Sequence, residues 1–438
     1  MSVHREFMAT ARDYALQLAR ETLIEILEEK LQESGHSPNR LLVEAVADHG
    51  LSGAKDDFVW ENLTEELSAF LDTLQLTDTD LARMEARQST FRDELAELLK
   101  DTVAQGSGDL FKDLKARWPQ VEAQNRHDMV GFQQRLEARW GEAFNHIRML
   151  RHFSLEVGYE RQQRLNRSRA KHPKLLPHLL LRLHARAVQV VGEVLALMEA
   201  GYADGAMARW RTLHEITVVA LVLGDGGEDL ATRFIAHEAV GRLQAARLHQ
   251  ATCAARQEAP IPDAEFTALE AEQQAAIDLY GQPFKKEYGW AADYIGNVDP
   301  KFNQLEDAAD RASHRPEYKL ASYNIHAGSR GLFFKLGTLD GSGFMAGSSD
   351  AGFSSPGLAT LDTLVLINFA LMPKPLSLDD LLLLSTLDAA RMGGRTAFMR
   401  SADKLRRDHA RIQREAAKAG TKRRRSRKPR SAPRTDAS

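Results

Sequence analysis

The sequence predicts an all-α protein: a multi-helix, bundle-like body with one irregular glycine-rich loop and a disordered basic C-terminal tail. Three observations predict it. Apolar residues recur at three- and four-residue steps, capping signatures precede several of those runs, and short alternating β-branched runs are nearly absent.

Taken in order, the segment Ala11 to Glu33 places Leu16, Ala19, Leu23, Leu27 and Leu31 on one helical stripe. Thr90-Phe-Arg-Asp93 resembles a capping box ahead of Leu95, Leu98 and Leu99. Gln105-Gly-Ser-Gly-Asp109 reads as a break between helices, and Lys171-His-Pro-Lys-Leu-Leu-Pro177 as the opening of a denser region. Leu179 to Ala200 is a strong helix ended by Gly201, and Ala203 to Leu223 is a second, apolar nearly all round after Trp210. Gly328 to Gly357 holds eight glycines in thirty residues and reads as a long loop. Gly357 to Met372 is a buried helix, too short for a membrane span and interrupted by Asp362 and Asn368. Ser377-Leu-Asp-Asp380 is a capping box before Leu381 to Leu384. These breaks divide the chain into an N-terminal helical region (1–149), a helical domain (150–403) and a basic helix end with its tail (404–438).

Composition excludes several function classes. Across 438 residues, 43% hydrophobic and 27% charged side chains give a globular balance. The single cysteine, Cys253, rules out an internal disulfide, a cysteine-based zinc site and a protein-ligated iron–sulfur cluster. The start, Met1-Ser-Val-His-Arg-Glu, lacks the apolar core of a signal peptide, so a cytoplasmic location is expected, without integral membrane association. The net charge of −3 is a cancellation. Lys404 to Arg434 carry fourteen Lys/Arg against Asp408 and Glu415, whereas residues 1–403 carry 44 basic and 58 acidic side chains.

Familiar catalytic motifs are missing. There is no G-x-x-x-x-G-K-[ST]. Gly341-Ser-Gly343-Phe-Met-Ala-Gly347 is one residue too long for a dinucleotide fingerprint and follows no strand. His214-Glu215 and His237-Glu238 both lack the second His of H-E-x-x-H. Ala327-Gly-Ser329-Arg-Gly331 lacks the parallel sheet that a nucleophile elbow requires. No cofactor and no metal are expected.

Polar side chains inside the apolar helices are the candidate site: His184, Arg211, Glu215, His237, Glu238, Tyr318, Ser322 and His326. Arg211 and Glu215 stand four residues apart and can pair along one face. A buried charge needs a partner and further hydrogen bonds, which the later histidines, Tyr318 and Ser322 could supply. Three readings stand open: an internal network that fixes helix packing, a polar-lined ligand cleft, and metal binding by His214, Glu215, His237 or His326. The last lacks the E-x-x-H pairs of di-iron bundles. Separately, Arg209-Trp-Arg-Thr-Leu-His214 has the R-x4-H spacing of HEPN-type ribonucleases. There an Arg holds the scissile phosphate and a His moves protons. Such spacing also arises by chance, as Arg242 to His249 at R-x6-H illustrates.

The stretch Glu193-Val-Leu-Ala-Leu-Met-Glu-Ala-Gly201-Tyr-Ala-Asp-Gly-Ala-Met-Ala-Arg209-Trp-Arg211-Thr-Leu-His-Glu215 resembles an uncharacterised bacterial family, domain of unknown function 5677. Arg233-Phe-Ile-Ala-His-Glu238, Tyr280-Gly-Gln-Pro-Phe-Lys-Lys-Glu-Tyr-Gly-Trp-Ala291 and Tyr318-Lys-Leu-Ala-Ser-Tyr-Asn-Ile-His326-Ala point the same way, over roughly residues 150–400. The resemblance implies a helical domain in which the Arg211 to Glu215 helix faces one bearing His326. It implies no activity.

The tail is a partner signal. Lys422, Arg423, Arg424, Arg425, Arg427, Lys428 and Arg430 form a dense cation cluster without interleaved aromatics. Such a cluster can contact RNA or DNA through phosphates and counterion release, without base stacking. Solvation, folding back on the acidic body and an anionic membrane surface are the alternatives. The expectation is an interaction or sensing module without enzymatic activity, with nucleic-acid contact through the tail and a homodimer as a further partner state. The alternative is a HEPN-like, metal-independent endoribonuclease using Arg209 and His214.

Overall fold

The computed structural model describes residues 3–53, 58–60, 63–167, 174–339 and 345–426, and every described element is helical. The chain forms two compact units, residues 1–125 and 126–438.

In the first unit, α1 (Val3–Glu33), α2 (Arg40–Ser52) and α3 (Glu65–Thr73) enclose a small core of Leu23, Ile24, Leu27, Leu31, Val43 and Ala47. The expected stripe therefore holds from Leu23 onward, but Leu16 is exposed and Leu18 is buried instead. The Asn39 side chain accepts from the Leu41 amide at the start of α2, and Gly53 ends that helix in the left-handed region. α4 (Asp78–Arg167) opens on a reciprocal box: the Thr77 amide donates to Asp80 Oδ2 at 2.7 Å, and the Asp80 amide donates to Thr77 Oγ1 at 3.3 Å.

Two expectations fail on α4. Thr90 caps nothing; it lies inside the helix and its hydroxyl donates to the Ala86 carbonyl. Gln105 to Asp109 do not break the helix, because each glycine costs only about 1 kcal/mol relative to Ala while both flanks propagate. Leu98, Leu99, Val103, Leu110, Leu114 and Trp118 are exposed along this stretch, which contributes nothing to the small core.

The second unit has one large core. The C-terminal part of α4 contributes Leu136, Trp140, Phe144, Ile147 and Leu150 to it. α5 (Leu175–Glu199) and α6 (Ala203–Ala236) pack along each other across a short turn. At that turn Gly201 adopts φ +90°, and the Tyr202 amide donates to the Leu197 carbonyl at 2.8 Å, a Schellman stop. Glu228 accepts from the Leu175 and Leu176 amides and so caps α5 from a neighbouring helix. α6 bends at Gly227, whose φ of +76° few other residues would accept.

Beyond it come α7 (Glu238–Thr252), α8 (Asp263–Tyr280), the short α9 (Ala292–Ile295) and α10 (Phe302–Ala308), then α11 (Arg315–Tyr323) and α12 (Ser329–Phe333). α13 (Ser354–Ala370) runs through the middle, packed on α5, α6 and α14 (Leu378–Ser426). Its sequence is apolar nearly all round because its neighbours cover most of its surface, although Phe369 near its end is exposed. The capping box at Ser377 and Asp380 forms as expected, with reciprocal bonds of 2.9 and 3.2 Å. Asp380 also holds Arg161, and the Ser377 hydrogen bonds keep its carboxyl down at about 2. The Gly328 to Gly357 segment is less irregular than expected: α12 and the start of α13 fall within it, and residues 340–344 lie outside the described residues. Among the described residues no helix is long and apolar enough to cross a membrane.

Candidate functional site

α6 positions most of the site. Its 3.6-residue period sends Trp210, Leu213, His214 and Thr217 inward, while Arg211 and Glu215 stay half-buried on the neighbouring face. Trp210 Nε1 donates to Thr363 Oγ1 on α13 at 2.9 Å, so the indole is buried without leaving its N–H unpaired.

Arg211, Glu215, Tyr318 and Ser322 come together as expected. Arg211 Nε donates to Glu215 Oε1 at 2.9 Å, and the Tyr318 hydroxyl donates to the same oxygen at 2.6 Å. Arg211 Nη1 reaches Ser322 Oγ at 3.3 Å, and the guanidinium lies 4.6 Å from the Tyr318 ring centroid. Burial and then the bond to Glu215 push the Tyr318 hydroxyl up, so it stays a donor at neutral pH. Tyr288 is raised as well, by burial and then by the charges of Glu287 and Glu215.

His214 belongs to a second, deeper cluster. It is 2% exposed, and its Nε2 lies 3.0 Å from Oε1 of Glu306, which is wholly buried on α10. The other Glu306 oxygen accepts from Arg315 at the start of α11. The His214 ring packs against Trp210, Phe302, His314 and Tyr318, with centroids 5.2 to 6.0 Å apart. Arg209 goes elsewhere: it pairs with Glu193 on α5 and donates to Thr212 Oγ1. Arg209 is thus committed to α5 and His214 to the core against Glu306, so the two side chains do not meet in one groove.

The remaining candidates are dispersed. His184 is buried on α5, its Nε2 3.2 Å from Asn368 Oδ1 on α13, and Asn368 in turn donates to Ser154 Oγ on α4 at 2.7 Å. Burial pushes this imidazole down from its ordinary value. His237 contacts the Lys286 carbonyl at 2.9 Å and the Phe284 ring, and Glu238 is exposed. α11 does pack on α6, but His326 lies beyond the end of α11 and is exposed. Lys422, Arg423, Arg424 and Arg425 stand on the helical backbone of α14, which continues to Ser426; Arg427, Lys428 and Arg430 lie outside the described residues.

Sequence reasoning missed Glu306, Arg315 and Asn368, the groups that complete these clusters. Glu306 sits in the short Phe302–Ala308 helix, whose seven residues carry too little periodicity to mark a buried carboxylate. It also missed Arg233, which lies over the Tyr280 ring at 4.8 Å and bonds the Trp290 carbonyl, tying two of the quoted sequence stretches together. Among the described residues no group of three or more His, Cys, Asp or Glu side chains could hold a metal ion.

Residues 178–343 match the profile of a family of unknown function, DUF5677. The match is narrower than the resemblance read from the sequence, yet it contains all four quoted stretches and every residue of both α6 clusters. No curated protein and no solved structure matches the chain.

Proposed function

We propose that the protein is a cytoplasmic, non-enzymatic interaction module that contacts RNA or DNA through the basic end of α14 and the residues beyond it. The observation that carries the first half is the commitment of His214 to Glu306 in the core, with Arg209 paired to Glu193 on a different face. A ribonuclease built on these two residues needs both side chains at one phosphate. The Arg211 cluster is likewise closed by its own partners, which suits a device that locks α11 onto α6.

The second half rests on charge. From Lys404 onward basic residues outnumber acidic ones several-fold, and Lys404, Arg406, Arg407, Arg411, Arg414 and Lys418 lie on the last turns of α14. Leu405 packs into the large core, so a truncation that spares the fold starts after Lys418.

The test measures oligonucleotide binding against salt concentration for the full chain and for a chain lacking residues 419–438. Each lost phosphate contact lowers the logarithmic salt slope by about 0.7 to 0.9, so the deletion should flatten it by several units. An unchanged slope removes the tail from this reading. Incubation with single-stranded RNA tests the other half: cleavage by the full chain that R209A abolishes would establish the ribonuclease alternative instead.

A further inference from the structure

An open groove of about 740 Å³ lies in the second unit away from both α6 clusters. Its walls are α4, the start of the α14 C-terminal turns and residues 337–338 and 345–350; Arg135, Arg139, Thr338, Ser348, Asp350 and Lys404 line it. Three cations and one carboxylate, Asp350, thus face one space.

Their charges are not equally compensated. Arg139 has its own carboxylates: Nη2 lies 3.2 Å from Asp408 and Nε 3.9 Å from Asp350. Arg135 and Lys404 form no ion pair with any described residue, in a region where Arg148, Arg391, Arg400 and Arg406 all do. Two uncompensated positive charges therefore converge on the groove. Arg139 Nη1 adds a buried donor with no acceptor, a situation that native proteins resolve with water, an ion or a ligand.

On the wall opposite, residues 336–337 and 349–350 are tied to the body by hydrogen bonds. The Ser349 amide donates to the Gly201 carbonyl at 2.9 Å, Ser349 Oγ donates to the Gly337 carbonyl at 2.6 Å, and Trp140 Nε1 donates to the Asp350 carbonyl at 2.8 Å. Asp204 accepts from the Leu336 amide at 3.0 Å, which fixes the same segment to the first turn of α6. Gly201 has a steric reason as well as its positive φ: a Cβ there would lie within 2.7 Å of Ser348 and Phe132, both on the groove wall.

We propose that this groove binds a phosphate-bearing small molecule, gripped by Arg135, Arg139 and Lys404. A dianion matches the two uncompensated cations, whereas a single carboxylate would leave one unmatched. The volume falls in the range of small-ligand sites and exceeds what inorganic phosphate fills, and Phe132 and Met345 offer apolar surface to an organic group.

Calorimetry on the full chain tests this with ADP, inorganic pyrophosphate and adenosine as probes. ADP and pyrophosphate should bind, and adenosine should give no heat. The double variant R135A/K404A, altered at two exposed side chains, should weaken ADP by about tenfold or more. The charge-keeping R135K/K404R pair should retain most of the affinity. Removing residues 419–438 should leave ADP binding intact, which separates this site from the nucleic-acid contact of the tail. Absence of binding by both phosphate-bearing probes, adenosine binding as well as ADP, or an unchanged affinity in R135A/K404A would each overturn the proposal. So would a double variant that loses only oligonucleotide binding.

Discussion

The two faces of α6 carry similar chemistry at different depths. On one, Arg211, Glu215 and Tyr318 form a charged, half-buried cluster that water can still reach. On the other, His214, Glu306 and Arg315 form a comparable set around a carboxylate with no solvent exposure. Depth decides what each is worth. A half-exposed pair gains little over hydration, because water competes for every bond. A buried carboxylate has no such fallback, so each partner it loses leaves an unmet charge in the core.

The largest effect expected from this contrast is on the deep face. Replacing His214 with Ala should cost about 3–5 kcal/mol in chemical denaturation, since Glu306 keeps only Arg315. A loss no greater than that of R211A would erase the distinction between the faces.

Acid should act next, again through depth. His184, His237 and His314 are all pushed below their ordinary value of 6.5 by burial first. The unfolded chain then binds protons that the native chain refuses, so stability is level above about pH 6.5 and falls below it. Denaturation midpoints at pH 7.5 and 5.5 measure this, and H184Q should shrink the difference. Equal midpoints would show that these imidazoles charge freely in the fold.

On the shallow face the effects should be small. Y318F removes one hydrogen bond to a partly hydrated carboxylate and should cost about 0.5–1.5 kcal/mol. R211A should cost about 1 kcal/mol, from an exposed-type ion pair and the loss of its contact with the Tyr318 ring. A loss of several kcal/mol in R211A, measured the same way, would mean that the cluster is drier than its exposure indicates.

Much of the fold was legible because it rests on local rules. The α5 stripe of Val190, Val194 and their neighbours, its stop at Gly201 and the Ser377 box all follow from periodicity and capping within a few residues. The Thr90 box was misplaced for an instructive reason. Thr77-Asp-Thr-Asp80 carries the same signature, and only the first of two such signatures can start one helix. Of the site, the Arg211–Glu215 pair was readable from its four-residue spacing, and Tyr318 and Ser322 as polar candidates downstream. Which of them touch was not readable, since Tyr318 is 103 residues from Glu215. His326 and His237 looked as suitable as His214 in sequence; burial alone separates them.

The sequence by itself determined the helical class, the stop of α5 at Gly201, the start of α14 and the split between an acidic body and a basic terminus. Those depend on residue type and on neighbours within one or two turns. Only the tertiary structure decided that His214 would be locked to Glu306 while Arg209 turned to Glu193, and that Arg135, Arg139 and Lys404 would share one groove. The physical reason is that desolvation and charge pairing depend on distances in space, and in this chain the decisive partners lie from 16 to more than 260 residues apart in sequence.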